Sequence, residues 1–269
     1  KVIWKKRDLS KNNFLEKELG VPKLISELLS QRGINDFESA KAFFRPSLNN
    51  LHDPFLMNQM KEAVIRINKA KQNNEPIMIY GDYDVDGTTA VSLMYLFLSN
   101  FFEKIIPYMP DRYKEGYGIS IEGINFAKEK GINLIIALDC GIKAVENIRY
   151  AKENKIDFII CDHHKPGIDL PNAVAILNPK KSNCNYPFKD LCGCGIGFKL
   201  VQALSMQWDI NFDIVTDYLD LVAIATVSDL VPIIGENRIL CYHGMKKLNE
   251  TNKLGLKKFL SLSKSSINT

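Results

Sequence analysis

The sequence predicts an α/β fold: a parallel five-stranded sheet flanked by helices, preceded by a helical extension and followed by a connecting helix. Two observations carry this. Short apolar runs of strand length alternate with amphipathic stretches between residues 76 and 179. That alternation covers both faces of a parallel sheet. Three of the runs also end in carboxylates or imidazoles, and the carboxyl ends of strands are where open α/β sheets bind ligands.

In chain order, residues 1 to about 50 read as polar and helical. "VPKLISELLSQRG" has helical apolar spacing with Gly33 to end it, and "INDFESAKAFF" is stopped by Pro46. "MNQMKEAVIRINKAKQNN" is a third amphipathic helix. Strands are predicted at 76–82, 104–110, 133–139, 156–162 and 173–179. The prolines of "KIIPYMP" put the second of these at a sheet edge. Helices are predicted in "TTAVSLMYLFLSNFF", "ISIEGINFAKEKG" and "KAVENIRYAKENK" between the strands. After Gly195 come "GIGFKLVQALSMQW", "FDIVTDYLDLVAIATVSDL" and "ENRILCYHGMKKLNE". The final "SLSKSSINT" is polar and expected to fray. The expected organisation is a helical extension over 1–73, a catalytic domain over 74–245, and the start of a connector helix over 246–269.

The bulk numbers exclude several classes. A hydrophobic content of 46% over 269 residues supports a sizeable core and argues against disorder. A net charge of +4 permits an anionic partner without demanding one. No apolar run reaches membrane-span length, and "KVIWKKRDLS" lacks the apolar core of a signal peptide. The six cysteines are too sparse for a disulfide scaffold. Cys184, Cys192 and Cys194 lack zinc-knuckle spacing. Reduced thiols in the cytoplasm are the expectation.

The chemistry lies at the strand ends. "PIMIYGDYDVDG" delivers Asp82, Asp84 and Asp86, "NLIIALDCG" delivers Asp139, and "IDFIICDHHKPG" delivers Asp162, His163 and His164. Asp229, in "VAIATVSDLVP", falls at a helix-to-loop junction. Carboxylates crowded on one edge raise each other's pKa unless cations compensate. Carboxylates with imidazoles and no required thiolate suit divalent Mn²⁺ or Mg²⁺, and sometimes Zn²⁺. Asp84, Asp86, Asp139 and Asp229 would balance two such charges. Two ions about 3.5–4 Å apart share a ligand, and Asp139 is the expected bridge.

The ordinary readings stand beside this one. A lone aspartate at a strand end is usually a turn former or N-cap, and paired histidines are often surface residues. The convergence of several such ends weakens those readings together. An EF-hand beginning at Asp82 fails because its twelfth position is Leu93 rather than glutamate. A Walker loop is absent from the sequence. Asp82 is expected to support the site rather than ligate, as is Asp162.

"DYDVDG", "LDCG", "DHH" and "TVSDLVP" stand in the order of the four motifs of the DHH phosphoesterase superfamily. The stretch from "LLSQRGINDF" to "KEAVIRI", with "MPDRYKEGYG" and "GCGIGFKL", resembles the RecJ family of single-strand-specific DNA exonucleases. The resemblance implies that Asp84 binds one metal, that Asp86, His163 and Asp229 bind the second, and that Asp139 bridges. It implies that His164 contacts the scissile phosphate and Arg112 a substrate phosphate, a geometry that suits guanidinium. The catalytic set is then Asp84, Asp86, Asp139, His163, His164 and Asp229. Tyr80 stands where many superfamily members have a histidine, so the first metal lacks an imidazole there.

The implied reaction is metal-assisted 5′-to-3′ hydrolysis of single-stranded DNA in repair and recombination. The implied partners are single-stranded DNA, single-strand-binding protein and a RecQ-type helicase, with a monomer expected. Tyr83, Tyr113, Tyr117 and Phe198 are candidates for base stacking. The family continues into a second domain, so an N-terminal catalytic fragment of a longer protein is expected. Rival readings are a DHH phosphodiesterase for short oligonucleotides or cyclic dinucleotides, a pyrophosphatase, a non-catalytic nucleic-acid-binding scaffold, and a phosphotransferase with a covalent aspartyl phosphate.

Overall fold

The computed structural model describes residues 2–3 and 13–263. It divides into two compact units, residues 1–50 and 51–269. In the first, α1 (Asn13–Leu19), α2 (Lys23–Ser30) and α3 (Phe37–Phe44) enclose a small core of Leu15, Leu29, Ile34 and Ala40. Asp36 caps α3 by accepting from the Ser39 amide, and the Ser39 hydroxyl answers the Asp36 amide in a reciprocal capping box. Gly33 supplies the positive φ, +76°, that turns the chain after α2.

The second unit is built on five parallel strands: β1 (Ile77–Gly81), β2 (Ile105–Tyr108), β3 (Leu134–Leu138), β4 (Asp157–Cys161) and β5 (Ala175–Leu177). Their order is β2-β1-β3-β4-β5. The edge position of β2 accommodates Pro107, as its sequence requires. From β1 the chain crosses first to β2 and later to β3 on the opposite side. The order therefore reverses between β1 and β3, which is the topological switch point of such a sheet.

The strands alternate their side chains between two helical layers. Met78, Tyr80, Ile135, Ala137, Phe158 and Ile160 pack under α6 (Ile121–Glu129) and α7 (Val145–Glu153). On the other face lie α5 (Val85–Leu98), α8 (Gly193–Gln207) and α10 (Leu219–Ser228), which pack on one another. α4 (Met60–Gln72), expected within the N-terminal extension, lies in this larger unit against β5 and α8. α11 (Gly235–Asn249) lies along α10 and runs past residue 246, and α12 (Leu254–Ser263) follows. The polar end from residue 264 onward lies outside the described residues.

The long helix expected from "FDIVTDYLDLVAIATVSDL" is two: α9 (Phe212–Thr216) and α10. Asp217 ends α9, and the Asp220 side chain accepts the Leu221 amide at 2.8 Å. Asp220 is buried and bound by Thr251 and Lys253. The bond to the Leu221 amide is local and competes with helix continuation, as aspartates do near turns, while those to Thr251 and Lys253 hold Asp220 from beyond the next helix.

Candidate metal centre

The carboxyl ends of β1, β3 and β4 and the C-terminus of α10 meet at the switch point. Asp82 follows β1, and Asp84 is the N-cap of α5, its Oδ1 accepting from the Gly87 amide at 2.9 Å. The ordinary N-cap reading therefore holds for Asp84 at the same time as its place in the cluster. Gly87 is needed because a Cβ there would run into the Asp82 backbone. Asp86, in the first turn of α5, is buried, and α8 points its N-terminus at it. The amides of Gly193 and Cys194 donate to its two oxygens at 2.6 and 2.8 Å.

Asp139 ends β3 with φ at +59°, a left-handed conformation uncommon for a residue with a side chain. Its amide donates to Cys161 O at 2.8 Å, which ties it to β4. His163 follows β4, and Asp229 is the C-cap of α10. His163 Nε2 lies 3.2 Å from Asp139 Oδ1, 3.6 Å from Asp229 Oδ2 and 3.9 Å from Asp86 Oδ2.

These residues form overlapping sets. Ligand atoms of Asp86, His163 and Asp229 lie within 4.8 Å of one another, as do those of Asp82, Asp84 and Asp139, and those of Asp139, His163 and His164. Asp82, expected in a supporting place, thus comes as near to Asp84 and Asp139 as a ligand would. Its Oδ1 also accepts the Tyr83 amide at 2.8 Å. Among the described residues no such set contains a cysteine. All six cysteines are buried free thiols.

The cluster is electrostatically overloaded. Burial, and then the charges of Asp86 and Asp84, push the Asp139 carboxyl up to about 11. Burial pushes Asp86 up to about 6 against the pull of the Cys194 and Gly193 amides. Burial pushes His163 down to about 4, with the neighbouring His164 acting in the same direction. Asp229 is raised by burial and by Asp84. Asp139 Oδ1, both ring nitrogens of His163 and Asp229 Oδ2 are buried with no hydrogen-bond partner. Such atoms are costly unless something else satisfies them.

His164 is organised differently. Asp162, fully buried, accepts the His164 ring Nδ1 at 2.7 Å and the His164 amide at 3.0 Å on one oxygen. Its other oxygen accepts the Ile142 amide at 2.8 Å. Burial pushes Asp162 up, but these bonds outweigh it and hold the carboxyl below its ordinary value. In return, Asp162 raises the His164 pKa. His164 Nε2 lies 3.3 Å from the Tyr117 hydroxyl. Arg112 is exposed, with its guanidinium 5.5 Å from the Tyr83 ring centroid. The other stacking candidates divide: Tyr113 is exposed, and Phe198 is core.

Sequence reasoning missed the Gly193–Cys194 amide cradle. The signal was the glycine-bracketed "GCG" at the start of a helix, because only glycine at 193 lets α8 lie against Asp139.

Comparison with known proteins identifies the family and the fold. The DHH family, N-terminal domain, matches residues 76–226. The single-stranded-DNA-specific exonuclease RecJ of Bacillus subtilis is 43% identical over 265 residues, covering 98% of this chain and 33% of that protein. The RecJ of Escherichia coli is 33% identical over 257 residues, covering 92% and 44% respectively. The chain thus spans less than half the length of these relatives. A crystal structure of exonuclease RecJ bound to manganese superposes with a TM-score of 0.74 at 27% identity, over 82% of this chain and 55% of that one. The RecJ of Thermus thermophilus, in complex with Mn²⁺, shares the fold with a TM-score of 0.75 at 24% identity, over 90% of this chain and 34% of that one. The family profile spans the three strand ends and most of α10, and the chain belongs to the DHH family.

Proposed function

We propose that this chain is the catalytic part of a two-metal hydrolase that degrades single-stranded DNA from the 5′ end. The observation that carries the reading is the convergence of the buried, unpartnered atoms of Asp139, His163 and Asp229 on one point. Their chemistry, oxygen with imidazole and no thiolate, fits Mn²⁺ or Mg²⁺. Asp86, His163 and Asp229 would hold one ion, Asp84 the other with Asp82 within reach, and Asp139 both. Bound there, two divalent cations would acidify water, neutralise phosphate oxygens and stabilise a leaving 3′-oxygen.

The remaining steps belong to side chains. Asp162 holds the His164 ring and favours its protonated form, so that His164 donates to an oxygen of the scissile phosphate. Arg112 takes a neighbouring phosphate. The amides of α8 keep Asp86 fixed, so the site is organised before substrate arrives. Asp139 and His163 each belong to two of the three ligand sets, and this overlap favours a shared-ligand centre over the single ion of an aspartyl-phosphate enzyme.

The named relatives supply the substrate class, single-stranded DNA; polarity, a role in repair and recombination, and partnership with single-strand-binding protein and a RecQ-type helicase belong to the proposal through the motif resemblance alone. We place the protein in the cytoplasm, where six free buried thiols are at home. No described helix is long and apolar enough to cross a membrane. The test is Mn²⁺-dependent digestion of single- and double-stranded DNA labelled at either end. Loss of the 5′ label first, on single strands, is the expected result. Preference for dinucleotides or pyrophosphate over long strands would transfer the chain to another DHH activity.

A further inference from the structure

Tyr80 stands four residues before Asp84, next to the last residue of β1. Its side chain is fully buried on the α6–α7 face, among Met78, Ile124 and Ala137. There its hydroxyl donates to Gly118 O at 2.8 Å and accepts from the Ser120 amide at 3.1 Å. The Ser120 hydroxyl donates to Glu115 at 2.5 Å. Glu115 also accepts from the Tyr108 hydroxyl and the Asp111 amide, both at 2.8 Å. Asp111 in turn accepts the amides of Tyr113 and Lys114. One connected set of hydrogen bonds therefore runs from the carboxyl end of β1 through both ends of the loop 109–120.

The ring has no freedom to leave. It stacks on Tyr108 at 5.2 Å between centroids, and even a Cβ at Gly123 would come within 2.7 Å of it. The loop it holds carries the two groups that face the centre. Tyr117 reaches His164, and Arg112 lies over Tyr83, whose ring is edge-on to Tyr117 at 6.3 Å.

We propose that Tyr80 is a positioning residue, whose hydroxyl braces the 109–120 loop so that Arg112 and Tyr117 present a fixed phosphate-binding arm beside His164. This rests on the hydrolase reading for its substrate, a single-stranded phosphodiester chain. Tyr80 acts through the loop and neither ligates a metal nor transfers a proton. A brace of this kind contributes to substrate binding more than to the chemical step.

The experiment uses Tyr80→Phe, which keeps the ring and removes the hydroxyl. Amide hydrogen exchange over residues 111–118 is expected to accelerate about tenfold, while β3 keeps its protection. KM for a single-stranded oligonucleotide is expected to rise about tenfold, with kcat held within about twofold. Mn²⁺ affinity by calorimetry is expected to stay unchanged. Glu115→Ala, which cuts the same chain of bonds nearer the surface, should give the same split. Unchanged exchange in the loop overturns the brace. Faster exchange with an unchanged KM overturns the positioning role. Weaker Mn²⁺ binding with an unchanged KM would assign Tyr80 to the metal centre instead. If the unsubstituted chain hydrolyses no DNA, the hydrolase reading fails, and the exchange measurement still decides the brace.

Discussion

Asp139 is the residue on which the centre turns. It is buried, it adopts a left-handed backbone, and it lies between two ligand sets. A lone aspartate after a strand is an ordinary sequence feature, and nothing in "LDCG" announces its backbone conformation. What the sequence carries is the coincidence of Asp139 with Asp86, His163 and Asp229 at like positions. Asp139→Asn keeps the volume and removes the charge. We expect hydrolysis to fall by about a thousandfold or more, as when a central electrostatic group is lost. In chelator, the melting temperature should not fall, because an amide is neutral in both states and escapes the proton uptake that folding imposes on Asp139. Near-normal turnover with Mn²⁺ would remove Asp139 from its shared place.

At the scale of elements, α8 is the part that the strand-end argument did not reach. Its N-terminal amides grip Asp86, and Gly193 permits the approach, since a Cβ there would press on the Asp139 side chain. Gly195, in the first turn of the same helix, would place a Cβ at ordinary contact distance from Leu191. The two glycines therefore predict opposite outcomes. Gly193→Ala should displace α8 from the centre and weaken Mn²⁺ binding about tenfold or more, as loss of an outer support does. Gly195→Ala should leave binding unchanged and stabilise the fold by about 0.5–1 kcal/mol through helix propensity. Calorimetric titration and thermal melts of both variants check this. Equal Mn²⁺ affinity in the two would show that the cradle is incidental. The strand–helix alternation and the edge place of β2 were legible because burial on both faces and Pro107 leave marks in local sequence. The cradle was not, because it joins residues more than a hundred positions apart. The break between α9 and α10 was hidden for a related reason. It depends on Asp220 meeting Thr251 and Lys253 from beyond the next helix.

For the whole molecule, the centre ties metal, pH and stability together. Consider the protein in chelator. The carboxyls of Asp139 and Asp86 have folded values above their unfolded ones, so the folded state holds extra protons and loses stability as pH rises. For Asp86 the loss is complete by about pH 6, and for Asp139 it continues up to about 11. His163 works the other way, because its folded value of about 4 lies below that of a free imidazole. The folded protein gains stability from it as pH rises to about 6.5, the free-imidazole value. Below that point the contributions offset. Above it, Asp139 acts in one direction, and His164, raised by Asp162, adds a further loss as its own proton leaves. We therefore expect the metal-free melting temperature to decline steadily from about pH 6.5 to pH 9, above the free-imidazole value. Divalent cations replace those protons, so Mn²⁺ should bind more tightly as pH rises. At a hundredfold excess over Kd each ion adds about 2.7 kcal/mol, or roughly 5–10 °C for a unit of this size. Melts with and without Mn²⁺ across that range should diverge with rising pH, with most of the alkaline decline abolished in Mn²⁺. Parallel curves, with the same displacement at both ends of the range, would mean that the buried carboxylates are not where the cations bind.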